Sequence, residues 1–553
     1  MSAAIYFHPE AYSIDGPRLM GRHAAGESFL RAFLSYVQTD RFFIEVQHPA
    51  HADAFRQAMA RFKRHEPLEV IDKTRLQGLA QAGAIYYPGP DIGKHAFHRA
   101  ALGHSAWSVC GITHTTSSAA AMDGIADLLT KPIQPWDALI CTSTAVKDNV
   151  QRLLQAQAAY LKDRLGAQRV VLPQLPVIPL GVHANDFVFS ADQQQQARQR
   201  LGVSANDVVV LFMGRLSFHA KAHPLAMYQA LEQAAKRTQH KLVLVECGWH
   251  ANDSIAKAFA QAAQHACPSV RLMTLNGQDS QDRQTAWAGA DVFCSLSDNI
   301  QETFGIVPLE AMAAGLPVVV SDWDGYKDTV RDGVDGFRIP TWMPPAPLGA
   351  DLALRHALEI DTYDMYCGHT CSLVAVDVEK TTDAFVRLVN DADLRRQMGQ
   401  AGRARVQSTF DWRVVIQQYQ DLWQSLDALR AQARSVAAQQ TPATASPPWP
   451  ARMDPFGAFQ SYPTHILQGE TLLQRVDADA SVALQRLQAQ QQLMMVSYAK
   501  AIWPSAQELQ HILTQAAQPT PAEQLVVFVP TARRGVVFRS LLWLLKLGLL
   551  RAA

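Results

Sequence analysis

Two glutamates, Glu302 and Glu310, stand at either end of the string E-T-F-G-I-V-P-L-E, which contains a glycine turn. Pro308 has the fixed φ and the missing N–H that suit the first position of a helix. The G-L-P run that begins at Gly315 is a signal for the end of that helix. The N-terminus of such a helix offers unpaired N–H groups to a phosphate, and carboxylates accept hydrogen bonds from hydroxyls. A ligand that carries both groups, such as a nucleotide sugar, fits this stretch.

The longer string from Glu302, E-T-F-G-I-V-P-L-E-A-M-A-A-G-L-P-V-V, resembles the signature of retaining GT-B-fold glycosyltransferases of family 4, the glycosyl transferases group 1. The resemblance implies two Rossmann-like domains that face each other across a cleft. It implies that Glu302 contacts the hydroxyls of a donor sugar and Glu310 those of the ribose. It also places backbone N–H groups near the sugar and phosphates, at Thr303, Phe304, Gly305, Ile306 and Val307.

Two cations follow the strand that opens the second domain. Arg215 and Lys221 lie in G-R-L-S-F-H-A-K, which is similar to the G-R-L-x-x-x-K of the family, although Lys221 stands one residue later than expected. Two cations on one loop can stabilise the charge that develops on a departing diphosphate. Two solvated surface charges are the alternative interpretation.

The first domain carries its own phosphate-compatible opening. A strand at residues 3–7 is followed by a loop with glycines at Gly16, Gly21 and Gly26, and then by a helix. By resemblance, the segment from Gly21 to Gly26 is the loop that faces the donor phosphates. His114 follows a strand at residues 107–113, where open α/β sheets build their sites, and the family often has a histidine on the acceptor side there. A structural histidine is the competing interpretation.

Strand and helix signals alternate along the chain, which predicts an α/β fold with parallel sheets. A small, mainly helical appendage follows. The predicted divisions are a first, acceptor-side Rossmann-like domain (1–182), a nucleotide-sugar-binding Rossmann-like domain (183–395), closing helices that cross back to the first domain (396–432), a Pro/Ala-rich linker (433–460) and an appendage of unknown role (461–553).

The composition excludes several classes. Of 553 residues 48% are apolar and 18% are charged, and 50 basic residues balance 50 acidic ones, so no global charge attracts nucleic acid or anionic lipid. Seven cysteines without regular spacing predict a reducing compartment. No secretory signal is apparent at the start, and the longest apolar run is too short to span a bilayer. A cytoplasmic protein is expected, with a peripheral position at the inner membrane face as an alternative.

An insertion is predicted where the family pattern is shorter, at residues 339–372. Its Cys367, His369 and Cys371 do not have a normal zinc spacing, so an ordinary loop is preferred to a metal site. Its acidic and aromatic side chains could instead contact the acceptor; these are Asp361, Tyr363, Asp364 and Tyr366.

The appendage combines an amphipathic helix at 482–503 with a strand-like run, a basic turn and an apolar helix. Its basic residues are Arg533, Arg534, Arg539, Lys546 and Arg551. Packing or self-association is preferred to a membrane-surface element or a winged-helix module, because the basic cluster lacks interleaved aromatic residues. No nucleic-acid partner is expected.

The reaction that the resemblance implies is retaining transfer of a sugar from a nucleoside diphosphate sugar to an acceptor hydroxyl, with Glu302, Arg215, Lys221 and His114 as catalytic residues. No cofactor or metal is expected, because Arg215 and Lys221 supply the positive charge. The sequence is compatible with three classes of acceptor: a saccharide, a lipid-linked acceptor or a small molecule. Alternatives are a phosphorylase or epimerase of the same fold, and a scaffold that binds nucleotide sugar without catalysis.

Overall fold

The structure is a computed structural model that describes residues 2–12, 21–437 and 449–553. These residues form two compact units, Met1–Trp449 and Pro450–Ala553. Gly16 and most of the central part of the predicted linker lie outside the described residues.

The first domain of unit Met1–Trp449 is built on a six-stranded parallel sheet in the order β3-β2-β1-β4-β5-β6. Its strands are short apolar runs because helices cover both faces. The strands are β1 (Ala4–Tyr6), β2 (Phe42–Glu45), β3 (Leu68–Ile71), β4 (Ala84–Tyr86), β5 (Ser108–Ile112) and β6 (Ala138–Ile140). The helices are α1 (Gly21–Tyr36), α2 (Pro49–Arg61), α3 (Leu79–Ala82), α4 (Gly93–Ala100), α5 (Ala119–Ala126) and α6 (Thr144–Leu165).

The second domain repeats this plan with a parallel sheet in the order β12-β11-β10-β7-β8-β9. The strands are β7 (Val208–Leu216), β8 (Leu242–His250), β9 (Arg271–Asn276), β10 (Val292–Ser295), β11 (Val318–Ser321) and β12 (Gly336–Ile339). The helices are α7 (Ala191–Leu201), α8 (Leu225–Arg237), α9 (Asp253–Ala266), α10 (Ser280–Gly289), α11 (Ile306–Ala314) and α12 (Tyr326–Thr329). The predicted α/β class with two Rossmann-like domains is confirmed.

The remaining elements of this unit follow β12. A two-stranded antiparallel ladder frames the insertion, and three longer helices complete the unit. These elements are β13 (Thr341–Trp342), α13 (Ala350–Ala357), α14 (Tyr363–Cys371), β14 (Ala375–Val376), α15 (Val378–Asn390), α16 (Ala392–Arg405) and α17 (Trp412–Ala437). The insertion is therefore mainly helical, so the prediction that it is a loop was wrong as regards its secondary structure.

Each sheet reverses its strand order at one point, between β1 and β4 in the first domain and between β7 and β10 in the second. Crevices at the carboxyl ends of the strands on either side of such a reversal are the usual ligand sites of open α/β sheets. Arg215 lies near the carboxyl end of β7, and the glutamate-bearing segment follows β10. The sheet topology thus brings the two predicted halves of the donor site together.

Helix α17 belongs to the core of the first domain although it follows the second domain in the chain. Trp412, Tyr419 and Trp423 are buried in the hydrophobic cluster that contains β1, β2 and β4. The indole N–H of Trp412 donates to Ser28 Oγ at 2.7 Å. A π-helical turn at Val406–Phe410 separates α17 from α16.

The unit Pro450–Ala553 has a hydrophobic core of its own, which includes Leu473, Ile512 and Leu541. A three-stranded antiparallel sheet in the order β16-β15-β17 packs with helices around it. Its elements are α18 (Pro455–Ala458), β15 (Leu472–Arg475), α19 (Ala480–Gln491), α20 (Met494–Ser497), α21 (Ala506–Gln515), β16 (Thr520–Pro521), α22 (Thr531–Lys546) and β17 (Leu550–Ala552).

Two sequence predictions for this unit were wrong in detail. The helix predicted over 482–503 is divided into α19 and α20, and the strand-like run before the basic turn contains a short 3-10 helix at Gln524–Val526. An apolar run of that length is compatible with either a buried strand or a buried helical turn. In the described part of the chain, no helix is long and apolar enough to cross a bilayer.

Candidate active site

The glutamate-bearing segment turns sharply before α11. Gly305 precedes the helix with φ at 76°, and a Cβ there would lie 1.9 Å from the ring of Tyr326, so only glycine fits. The helix begins at Ile306, not at Pro308 as predicted, and Pro308 occupies its third position. It ends before Gly315, which has a left-handed φ of 82°. The first N–H groups of α11 therefore open onto the turn.

Glu302 forms an ion pair with Lys221 in which Nζ lies 2.9 Å from Oε2. The Glu302 side chain is only 13% exposed. Burial acts to raise the pKa of Glu302, but the Lys221 ammonium and the backbone N–H groups of Thr303 and Phe304 outweigh it, and the pKa lies below its ordinary value. Glu302 is therefore a carboxylate at neutral pH. Lys221 forms this ion pair even though it stands one residue later in the sequence than the family pattern expects.

Arg215 is held against the same segment. Its Nη2 donates to the carbonyl of Ala220 at 2.8 Å and to Gln301 Oε1 at 3.1 Å. The first bond closes the loop that carries both cations, and the second ties that loop to the residue before Glu302. The structure thus brings Arg215, Lys221 and Glu302 into one cluster.

Glu310 lies one turn into α11 and has a different electrostatic setting. Burial raises the pKa of Glu310 to about 7, while the positive charge of Arg283 opposes the rise. Arg283 is on α10 and donates to the carbonyl of Gly277 at 2.9 Å. The sequence did not single out Arg283, because its proximity to Glu310 depends on how α10 packs beside α11.

Thr303 connects the second domain to the carboxyl ends of two first-domain strands. Its Oγ1 donates to the backbone carbonyl of His114 at 3.2 Å, and its own carbonyl accepts from Thr142 Oγ1 at 3.4 Å. His114 follows β5 and Thr142 follows β6. The structure therefore places His114 beside the glutamate-bearing segment, while a catalytic role for its imidazole stays a prediction.

The predicted glycine loop of the first domain is a helix. Gly21 is the first residue of α1 and Gly26 lies in its second turn, so the prediction that Gly21 to Gly26 forms a loop was wrong. A Cβ on Gly26 would lie 1.9 Å from the carbonyl oxygen of Ala11, which shows that this glycine allows close packing. Glycines are frequent in loops, but tight packing of a helix requires them as well.

A comparison with known protein families gives one match in this part of the molecule. The family model described as "Glycosyl transferases group 1" matches residues 193–343. This segment belongs to the glycosyl transferases group 1. The predicted family resemblance is confirmed there, and the group 1 segment contains Arg215, Lys221, Glu302 and Glu310.

Two curated proteins and one solved structure are among those similar to this chain. A phosphatidyl-myo-inositol mannosyltransferase from Mycobacterium tuberculosis is 27% identical over 294 residues, which is 53% of this chain and 62% of that protein. A D-inositol 3-phosphate glycosyltransferase from Xylanimonas cellulosilytica is 29% identical over 39% of this chain and 49% of that protein. Anabaena Alr3699/HepE, crystallised with UDP and glucose, matches with a TM-score of 0.49 at 17% identity, over 77% of this chain and 100% of that chain. The chain spans less than two thirds of the length of the two curated relatives.

Two carboxylates of the group 1 segment bind the N-terminal end of α6 in the first domain. Asp324 Oδ1 accepts from Ser143 Oγ at 3.1 Å, and Asp328 Oδ2 accepts from the backbone N–H of Thr144 at 2.6 Å. Burial, and then the charge of Glu302, raise the pKa of Asp324 to about 8. Sequence patterns did not predict these two contacts, because neither is local in the chain.

A second group that the sequence did not identify lies where the first sheet reverses its strand order. Glu45, at the end of β2, is 1% exposed and accepts from Tyr87 Oη at 2.7 Å. Lys73 Nζ lies 3.4 Å from the other oxygen of Glu45. The Tyr87 ring stacks on His95 with 3.7 Å between centroids, and burial lowers the pKa of His95 to about 2. The signal available in the sequence was polar residues at the ends of successive strands.

Two of the insertion residues for which a metal site was considered and not preferred, His369 and Cys371, have different partners. His369 Nδ1 lies 3.1 Å from Asp361, whereas Cys371 is buried against the carbonyls of Phe218 and His219. Within residues 2–12, 21–437 and 449–553, no group of three or more His, Cys, Asp or Glu side chains could hold a metal ion.

Proposed function

We propose that the chain transfers a sugar from a nucleoside diphosphate sugar to an acceptor hydroxyl with retention of anomeric configuration. The observation that carries the proposal is the cluster of Arg215, Lys221 and Glu302 beside the N-terminus of α11, where the second sheet reverses its strand order. This cluster combines cations for a diphosphate with an ionised carboxylate for hydroxyls. The group 1 match over the same residues supports it.

Each residue has a role in this proposal. The N–H groups at the start of α11 and the cations Arg215 and Lys221 hold the diphosphate, and they bind it more strongly as negative charge builds up on the leaving group. Glu302 accepts hydrogen bonds from the donor sugar, and Lys221 fixes the direction of its carboxylate. Glu310 accepts hydrogen bonds from the ribose hydroxyls. The cations make a metal ion unnecessary for charge stabilisation.

The acceptor is proposed to bind in the first domain, near His114 and the group around Glu45. Polar and aromatic side chains at the strand-order reversal suit a ring that carries several hydroxyls. The names of both curated relatives contain an inositol group. Acceptor trials therefore start with myo-inositol, an inositol phosphate and phosphatidylinositol.

A thermal-shift panel with UDP-, GDP-, ADP- and TDP-linked sugars tests the donor assignment. A ligand that binds only the native state raises its melting temperature, so one nucleotide class is expected to give a shift. That shift is expected to fall strongly in Glu310→Gln and to persist in Glu379→Gln, a matched change of an exposed glutamate on α15. If the wild type, Glu310→Gln and Glu379→Gln show the same shift in melting temperature, the assignment of Glu310 to donor binding is contradicted.

Donor affinity is expected to depend on pH through Glu310. Because its pKa lies at about 7, the carboxyl loses its charge as the pH falls below that value and accepts ribose hydroxyls less well. If binding requires the ionised form, the donor Kd at about pH 6 is about tenfold higher than at about pH 8, and Glu310→Gln removes the dependence. Isothermal titration with an intact nucleotide sugar measures this, since its diphosphate has no terminal phosphate that titrates in this range. A flat wild-type profile would overturn the role.

A further inference from the structure

The insertion after β12 has a defined contact with the proposed active site. The group 1 match ends at residue 343, just before α13 and α14. The predicted acceptor contacts of the insertion are only partly available, because Asp361 is engaged by Arg355 at 2.8 Å and by His369 at 3.1 Å. Tyr363, the first residue of α14, does not take part in this group and instead contacts the first domain.

Helix α14 is fixed to the loop that carries the two cations. Cys367 and Cys371 are 0% and 3% exposed, and Cys371 Sγ approaches the carbonyls of Phe218 and His219 at 3.9 Å. A Cβ on Gly368 would lie 3.1 Å from the Cβ of His219, so the helix and the loop pack closely. The position of α14 is therefore coupled to the loop between Arg215 and Lys221.

The other end of the connection lies in the first domain. Tyr363 Oη lies 3.0 Å from Ser117 Oγ and 3.3 Å from Thr115 Oγ1, in the loop that follows β5 and contains His114. The side chain of Gln301, which accepts from Arg215, also interacts with this hydroxyl. Tyr363 thus bonds to the first-domain loop and lies close to Gln301, which in turn accepts a hydrogen bond from Arg215.

We propose that Tyr363 is a positioning residue that holds the first-domain loop at residues 113–118 in register with Arg215; its catalytic consequence rests on the proposed function. The hydroxyl joins three parts of the chain that are distant in sequence: the insertion, the loop after β5 and the segment before Glu302. Its removal leaves the aromatic ring in place and releases the loop. The acceptor side of the site then loses its alignment with the donor side, while the donor contacts themselves are unchanged.

The test replaces Tyr363 with phenylalanine and uses Tyr366→Phe as the matched control. Tyr366 lies on the same helix, and its ring stacks on His356 with 4.3 Å between centroids. Hydrogen–deuterium exchange of the ligand-free protein is expected to be about three- to tenfold faster at residues 113–118 in Tyr363→Phe and unchanged in Tyr366→Phe. Ser117→Ala is expected to have an effect similar to that of Tyr363→Phe. The double variant Tyr363→Phe/Ser117→Ala is expected to exchange only slightly faster than either single variant.

The catalytic measurement uses the nucleotide sugar that gives the largest shift in the donor panel. Tyr363→Phe is expected to lower kcat for transfer about three- to tenfold, to leave the donor Kd unchanged and to raise the ratio of donor hydrolysis to transfer. Equal exchange at residues 113–118 in wild type and variant overturns the positioning role. Faster exchange with unchanged kcat and an unchanged hydrolysis ratio overturns its catalytic consequence. Because the exchange measurement needs no ligand, failure of the donor panel affects only the proposed function.

Discussion

Replacing Arg215 with alanine is expected to lower kcat about 10²–10³-fold while weakening the donor Kd by about tenfold or less. The guanidinium bonds to Gln301, the residue before Glu302, and its charge matters most when negative charge develops on the leaving diphosphate. An interaction that strengthens in the transition state affects turnover more than ground-state affinity. Steady-state kinetics and isothermal titration on the same preparations measure the two effects.

Two further variants make the Arg215 result specific. Arg215→Lys keeps the charge but loses the planar fork, so an intermediate kcat is expected. Arg237→Ala changes an exposed arginine that pairs with Asp383 at 3.4 Å, and less than a twofold change is expected. A loss in Arg215→Ala that appears only in KM, with kcat intact, would show that the residue contributes uniform binding and not transition-state stabilisation.

Replacing Lys221 with methionine is expected to lower kcat about 100-fold and to destabilise the fold by about 1–3 kcal/mol. The variant leaves Glu302 with its charge buried and its partner gone, so the pKa of Glu302 is expected to rise and the carboxylate to take up a proton at a higher pH than in the wild type. Activity of the variant is therefore expected to increase with pH. In the wild type the pKa of Glu302 is depressed, so the contribution of the pair is present at neutral pH and is lost as acid protonates the carboxylate.

The double variant Lys221→Met/Glu302→Gln separates stability from catalysis. Removal of the unpaired charge is expected to restore most of the melting temperature at neutral pH, whereas kcat stays low. Lys236→Met is the matched control, since Lys236 pairs with the buried Glu232 at 2.9 Å, and Glu232 keeps two hydrogen bonds from Ser269. If the single and double Lys221 variants melt at the same temperature, the ion pair does not hold the site together.

The sequence predicted the strands well and the local backbone around the site less well. Parallel strands covered on both faces are continuous apolar runs, and the strands predicted at residues 3–7 and 107–113 agree within a few residues with β1 and β5. The start of α11 was placed at Pro308, because proline favours the first helical position, but Gly305 with its positive φ determines where the turn ends. The segment Gly21 to Gly26 was interpreted from its glycine content alone, and close packing against Ala11 explains Gly26 instead.

Within the site, the resemblance predicted the residues that lie on one continuous motif, and the structure placed Arg215 and Lys221 beside Glu302. The resemblance did not predict the hydrogen bond between Ser143 and Asp324 or the one between Tyr363 and Ser117. Each of these bonds joins segments that are more than 100 residues apart. Their formation depends on how the domains pack, and no local spacing encodes that.

The path of α17 has a consequence for how the chain is made. The first domain needs Trp412, Tyr419 and Trp423 to fill its core, yet these residues are synthesised after the whole second sheet. During translation an apolar groove beside β1, β2 and β4 therefore stays open until the ribosome has passed residue 423. The first domain cannot complete its folding as an independent unit, and contacts of such long sequence separation are slow to form. The order of synthesis and the order of folding thus differ in this chain.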